Sequence, residues 1–238
     1  MVFSREVLRI DCAAEAERII SFIRDQVRSI HRKGIVIGLS GGVDSALSAA
    51  LSVRAVGREK VLALLLPDKE SSPQSAEFAT VQADKLGVEA ITVDITPVLE
   101  AFGTYEKRDA VARTIYPEYG AGHTLKITLP SDVLNKEGYN FFTLTTFDPD
   151  GRSRTARLNN DQAQAIIAAT CTKHRTRMMT QYYYSEKVNA LVCGTTNKSE
   201  AIQGLFVKYG DGGVDIEPIA HLYKNQVFQL AEHMGVIP

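Results

Sequence analysis

The chain has no tryptophan, and only three cysteines and four methionines among its 238 residues. Cys12, Cys171 and Cys193 stand far apart and form no C-x-x-C pair. That spacing argues against a disulfide framework and against paired-cysteine redox or zinc chemistry, and it fits a reduced, cytoplasmic protein. The five histidines fall at no metal-ligand spacing. Charge of either sign is lacking in excess: 27 basic and 28 acidic residues leave a formal net charge of −1, which gives no reason to expect nucleic-acid binding. No apolar run approaches the roughly 20 residues of a membrane helix, and the first residues carry no signal-peptide pattern. There is no internal repeat and no low-complexity linker. What is left is an ordinary soluble composition, 45% hydrophobic and 23% charged, long enough to bury one full α/β core.

The most informative stretch is 34–50, GIVIGLSGGVDSALSAA. Ile35, Val36, Ile37 and Leu39 suit a buried parallel strand. Ala46, Leu47, Ala49, Ala50 and Leu51 suit a helix packed on it. The turn between them, Ser40-Gly41-Gly42-Val43-Asp44-Ser45, lets the backbone curve tightly and lets a ligand come close. The helix start adds unpaired N–H groups and the positive end of its dipole. Ser40 and Ser45 add hydroxyl donors. These features together make an anion cradle suited to phosphate. Asp44 stands where a Walker A loop needs lysine, and the Rossmann G-x-G-x-x-G spacing is absent. An aspartate in a phosphate loop calls for a bridging cation, so Asp44 points to Mg²⁺. The plainer alternative is a strand-to-helix turn with Asp44 and Ser45 as caps.

Along the chain, 11–32 carries Ala16, Ile19, Ile20, Ile23, Val27 and Ile30 at helical intervals behind Asp11, a capping residue. A second apolar run, 61–66, ends at Pro67. Pro73 opens and Gly87 closes the next helix, and 88–95 reads as a third strand. This alternation predicts an α/β fold: a doubly wound, mostly parallel sheet with helices on both faces, binding its ligand at the strands' carboxyl ends. Pro67-Asp68-Lys69 lies at that edge, as a ligand-facing segment or a plain surface loop. Residues 97–119 read as partly helical, with Tyr105, Tyr116 and Tyr119 open between core, lid and partner surface. From 126 to 158 the pattern changes to β-prone runs around Asp148-Pro149-Asp150-Gly151, a β-hairpin excursion. Its arginines, Arg152, Arg154 and Arg157, suit a charged, solvated strand edge better than a phosphate site.

Residues 159–189 read as one long helix or two joined ones. Arg175 and Arg177 diverge on it, so that one can face a ligand while the other serves structure. Met178 and Met179 read as core or interface filler. Ala190-Leu191-Val192-Cys193 is a fourth strand. It runs into a second strand-to-helix turn, Gly194-Thr195-Thr196-Asn197-Lys198-Ser199-Glu200. Thr195 there can donate to a nucleotide, and Glu200 can reach a metal. A glycine-dense stretch follows in which Lys208 is a mobile cation and Asp215 an acceptor for hydroxyls. His221 opens the last helix.

SGGVDSA resembles the pyrophosphate loop of the N-type ATP pyrophosphatases. With HRTRM, GTTNKSE and LFVKYGDGGVDIEPIAHLYKNQV in the same order, the chain from Gly34 onward resembles the ammonia-dependent NAD synthetases. The resemblance implies a single domain over 1–238 of the adenine nucleotide alpha hydrolase-like fold. It also implies amidation of deamido-NAD to NAD through an adenylated intermediate, with release of AMP and pyrophosphate. Position by position, it places Gly38, Leu39, Ser40, Gly41, Gly42, Val43, Asp44, Ser45, Thr195 and Lys224 on ATP. Arg175, Lys208 and Asp215 fall on deamido-NAD, and Asp44 and Glu200 on Mg²⁺. It assigns no side chain as nucleophile or acid–base, leaves no room for an amidase domain, and implies free ammonia and a homodimer with the dinucleotide across its interface.

The chain departs from the family in three places. Ala169-Thr170-Cys171-Thr172-Lys173-His174-Arg175-Thr176-Arg177-Met178 stands where N-x-[QK]-A-R-x-R-M is usual. The 126–158 hairpin is longer than in compact members. Members also continue past the position of Pro238 with a segment that folds over the ligands, so that segment is expected to be absent here. Two alternatives stay open: another adenylating enzyme of the superfamily, and a nucleotide-binding subunit without turnover.

Overall fold

The computed structural model of the chain describes residues 5–128 and 141–236. The chain divides into two compact units, Met1–Thr96 with His174–Pro238, and Pro97–Lys173.

The first unit is built on a four-stranded parallel sheet of β1 (Ile35–Gly38), β2 (Val61–Leu65), β3 (Glu89–Thr92) and β7 (Leu191–Cys193), in the order β3-β2-β1-β7. Its neighbours in sequence are α1 (Cys12–Ser29), α2 (Val43–Val56), α3 (Pro73–Leu86), α7 (Lys198–Gln203) and α8 (Lys224–His233). Asp11 caps α1 through Oδ1, which accepts the N–H groups of Ala13 and Ala14 at 3.1 Å each. The cap is worth about 1 kcal/mol, whereas burying one large aliphatic side chain is worth about 1.5–3 kcal/mol. The buried Ile19, Ile20, Ile23 and Val27 therefore decide where α1 lies. Ile30, read as part of that stripe, sits just past the helix and is 49% exposed. Pro73 and the left-handed Gly87 bound α3 where the sequence puts them.

Side chains alternate across the sheet. Ile35, Ile37, Ala63, Leu65 and Cys193 share one core with α1, α2 and α8. Val36, Leu62, Leu64 and Val192 are buried on the other face. There the later part of α6 (Asn160–Val188) is tied down: Arg177 Nε donates to the Leu66 carbonyl at 3.0 Å, and Ser185 Oγ to the Ala190 carbonyl at 2.7 Å. The parallel sheet with helices on both faces is the one expected. Among the described residues β3 is an edge strand whose one ladder, with β2, runs out at Leu65 and Thr92, so it is shorter than the run 88–95. Val93 and Ile95 then follow β2 through single bonds to the carbonyls of Leu65 and Pro67.

Strand order turns back between β1 and β7. Successive connections leave the sheet in opposite directions there, which opens a crevice at the carboxyl ends of the two strands. The glycine turn after β1 and the 194–200 turn after β7 both end at that crevice.

The second unit holds α5 (Thr104–Ile115), most of α4 (Thr96–Phe102), the first part of α6, and an antiparallel sheet. That sheet is β4 (Thr124–Thr128), β5 (Thr143–Phe147) and β6 (Ser153–Arg157), in that order. It has its own core of Ala112, Tyr119, Leu144, Leu158, Ala163 and Ile166. The turn at Gly151 (φ +79°) joins β5 to β6 in the expected hairpin, and residues 129–140 of the excursion lie outside the described residues. Arg152 pairs with Asp150, Arg154 with Glu118, and Arg157 stacks on Phe141, as suits a charged edge strand. Tyr105 and Tyr119 are buried. Among the described residues no helix is long and apolar enough to cross a membrane.

Candidate active site

The turn after β1 is shaped by Gly41. Its φ is +81°, and a Cβ there would lie 2.3 Å from the Ser75 carbonyl oxygen, so no other residue fits without moving the backbone. The two serines hold the turn from within. Ser45 Oγ accepts the Ser40 N–H at 3.2 Å and donates to the Gly42 carbonyl at 2.9 Å, while Ser40 Oγ accepts the Gly42 N–H at 3.3 Å. Among the described residues no side chain caps α2 at Gly42, so its first N–H groups are left to an external acceptor. Asp44 and Ser45 occupy the second and third positions of α2 and are not its caps.

The turn after β7 is built the other way. Asn197 caps α7 through a reciprocal capping box with Glu200: Asn197 Oδ1 accepts the Glu200 N–H and Glu200 Oε2 accepts the Asn197 N–H, both at 3.2 Å. The other end of the amide crosses the crevice, where Nδ2 donates to Asp44 Oδ1 at 2.9 Å. Lys224 Nζ, at the start of α8, pairs with Asp44 Oδ2, and the Lys224 N–H donates to Ser199 Oγ at 3.1 Å. Asp44 and Glu200, expected together, are thus joined through Asn197, which sequence reasoning did not single out, while Lys224 meets Asp44 directly. A polar residue at the N-cap position of a strand-to-helix turn is the only signal it gave.

The two carboxylates offer oxygen donors only, as a hard cation such as Mg²⁺ prefers. Among the described residues no cluster of three metal-ligating side chains occurs. Mg²⁺ commonly takes few protein ligands and fills the rest with water and phosphate oxygens, so the pair fits that ion.

Beside the turns lies a cavity of about 420 Å³, lined by Gly38, Leu39, Ser40, Arg177, Gln181 and Thr195 among others. Arg177 is the structural member of the arginine pair, since Nη2 also meets the buried Asp68 at 3.0 Å. Asp68 is therefore no plain surface residue. Arg175 Nε donates to the Lys208 carbonyl at 3.3 Å, which brings those two expected residues together. Asp215 sits elsewhere, after β7, where it meets a residue of α6. Its carboxylate accepts the Tyr182 hydroxyl at 3.0 Å and the Val192 N–H at 2.8 Å. Burial and the Asp215 charge push the Tyr182 hydroxyl up to about 12, so it remains a donor. Met179 is 54% exposed and is no core residue.

Glu217 was also missed. Its carboxylate lies where a Cβ on Gly194 would stand, 2.5 Å away, and accepts the Thr196 N–H at 3.1 Å. Burial pushes this carboxyl up to about 7, against the Thr196 bonds, with Asp211 and Glu200 adding to the rise. A larger groove of about 820 Å³ opens at the opposite, amino ends of the strands, where Arg28, Lys33, Lys60 and Lys187 line it. Neither turn reaches it.

A parallel sheet with an uncapped glycine turn and an opposed acidic turn at its switch point defines an α/β protein of the class that binds its ligand at the carboxyl ends of the strands. The family model described as NAD synthase matches residues 15–116 and 142–238. An NH(3)-dependent NAD(+) synthetase of Rhizobium meliloti is 46% identical over 236 residues, covering 99% of this chain and 70% of that protein. Among solved structures, an NH3-dependent NAD synthetase from Campylobacter jejuni aligns with TM-score 0.67 and 27% identity, covering 95% of this chain and 75% of that one. An NMN synthetase from Francisella tularensis aligns equally well, with TM-score 0.67 and 26% identity over 96% of this chain and 73% of that one. The chain belongs to the NAD synthase family.

Proposed function

We propose that this protein amidates deamido-NAD to NAD with ammonia, consuming ATP and releasing AMP and pyrophosphate. The observation that carries this reading is the union of two turns: one presents an uncapped helix start, the other ties Glu200 to Asp44 through Asn197. The nicotinate carboxylate attacks the α-phosphorus of ATP, and pyrophosphate leaves into the turn after β1. There the first N–H groups of α2 and the Lys224 ammonium meet its charge. Ammonia then attacks the acyl carbon and AMP departs. Positioning and charge stabilisation suffice, and no side-chain nucleophile is assigned.

Asp44 and Glu200 would hold Mg²⁺, which when bound neutralises phosphate charge. Gly38, Leu39, Ser40, Gly41, Gly42, Val43, Ser45, Thr195 and Lys224 serve ATP. Arg175, Lys208 and Asp215 serve the dinucleotide, with Tyr182 fixing the Asp215 carboxylate. A homodimer builds the dinucleotide site. Met179 and Tyr183 on α6, 54% and 64% exposed, supply apolar surface that such an interface would cover. A cytoplasmic location agrees with the free cysteines.

The test is an assay of the purified protein with ATP, Mg²⁺, ammonium and either deamido-NAD or nicotinic acid mononucleotide, the second because one solved relative is an NMN synthetase. AMP, pyrophosphate and NAD in equal amounts with deamido-NAD are expected. Amidation of the mononucleotide alone would move the substrate assignment, and AMP without amide would remove the ammonia step.

A further inference from the structure

Asn197 is fully buried, with 0% of its surface exposed, and every polar group it carries along the crevice is used. Its backbone N–H reaches Glu200 Oε2, its Oδ1 takes the Glu200 N–H, and its Nδ2 reaches Asp44 Oδ1 at 2.9 Å. The orientation of the amide follows from chemistry. A backbone N–H can only donate, so the atom facing Glu200 N is the oxygen, and the nitrogen must face Asp44.

We propose that Asn197 is a positioning residue that sets the spacing of the two metal-binding carboxylates, Asp44 and Glu200. The inference rests on the metal reading given above. Asp44 and Glu200 are 156 positions apart in sequence (200 − 44) and sit on different helices. Their helices start after adjacent strands, with Ile37 beside Cys193 in the ladder, which brings the two turns to one place but does not itself orient their side chains. Lys224 holds the other oxygen of Asp44 and, among the described residues, makes no bond to Glu200. Mg²⁺ demands near-ideal octahedral geometry and tolerates little error in its carboxylates. A buried carboxamide answers that demand, because it accepts from one turn and donates to the other without adding charge. An aspartate would cap α7 as well but would set a second negative charge against Asp44. A serine would also cap α7, but its shorter side chain lacks the amide nitrogen that reaches Asp44.

This separates a brace from a simple helix cap. Asn197→Ser, Asn197→Asp, Asp44→Ala and Glu200→Ala are compared by Mn²⁺ binding to the full chain, read by electron paramagnetic resonance with a non-cleavable ATP analogue, and by Tm. A cap alone predicts that Ser and Asp behave as wild type. The brace predicts a Tm close to wild type and a Kd for Mn²⁺ about 10-fold weaker for Asn197→Ser, the scale on which residues that orient metal ligands act, with Asn197→Asp weaker still. Wild-type Mn²⁺ binding in both Asn197 variants, with binding lost in Asp44→Ala and Glu200→Ala, overturns the brace and leaves the metal site standing. Wild-type binding in all four variants overturns the metal reading and the brace with it.

Discussion

The turn after β1 and the turn after β7 start alike, at the carboxyl end of a central parallel strand, and finish differently. The first leaves its helix uncapped and turns its serine hydroxyls inward, so what it offers a ligand is backbone. The second satisfies its own helix start with a capping box and offers side chains. Backbone donors suit an anion whose oxygens change place during reaction, since the donors stay fixed. Side-chain carboxylates suit a cation, whose geometry is set by the ligands it finds. Each turn does half of what a metal–phosphate pair requires, and the topological switch point is where the halves can meet.

The contrast can be broken most severely at Asp44, which stands in the turn after β1 but, on the function proposed above, serves the cation. Asp44→Ala should lower kcat/KM by about 100- to 1,000-fold, the cost of losing one charge-stabilising group at a reacting phosphate. A variant near wild type would remove Asp44 from the site. The next largest effect is expected at Gly41. Gly41→Ala forces a left-handed φ on alanine and a clash with the Ser75 carbonyl. The strain costs about 1–3 kcal/mol, a fall in Tm of about 3–10 °C for a chain of this size, with a raised KM for ATP. Gly42→Ala is the control: with an ordinary φ, its Cβ would meet only Ser40 Oγ, at 3.4 Å. It should cost far less, and equal losses at the two glycines would refute the steric account.

Glu217 sharpens the comparison on the β7 side, where a half-buried carboxyl braces the turn. Its native pKa, about 7, lies above the ordinary glutamate value of 4.5. Between those values the folded chain binds more protons than the unfolded one, so this residue makes stability fall as pH rises from about 4.5 to about 7. Gln keeps an acceptor for the Thr196 N–H and cannot ionise. Glu217→Gln should therefore be at least as stable as wild type at pH 8 and should lose that part of the pH dependence, read as Tm against pH. A wild-type profile would place the ionisation elsewhere.

The smallest effect concerns Cys193. Burial pushes its thiol up to about 12, and Ser52 donates to its sulfur at 3.8 Å. A thiol reagent should label Cys12 and Cys171, both partly exposed, and spare Cys193 in the native protein.

Much of this was legible in the residues, for local reasons. Asp11, Pro73 and Gly87 mark helix ends by chemistry that acts within one turn of chain. The alternating apolar runs give the parallel sheet, and the SGGVDSA turn shows its uncapped helix start in its composition. What stayed hidden depends on partners distant in sequence. Asn197 matters because it meets Asp44, 153 residues away, and Asp68 because it meets Arg177, 109 residues away. Glu217 matters because its carboxylate lies against Gly194, a contact that no local pattern announces. The second unit could not be read from its hairpin alone, because its core draws on α5 and α6 as well.

The most direct test of the central claim, that pyrophosphate leaves from ATP into the turn after β1 as an adenylate forms, is isotope exchange without ammonia. Labelled pyrophosphate is incubated with the protein, Mg²⁺ and ATP, with and without deamido-NAD. Label should enter ATP only when deamido-NAD is present, and not in Asp44→Ala. Exchange without deamido-NAD, or formation of ADP in place of AMP, would contradict the account.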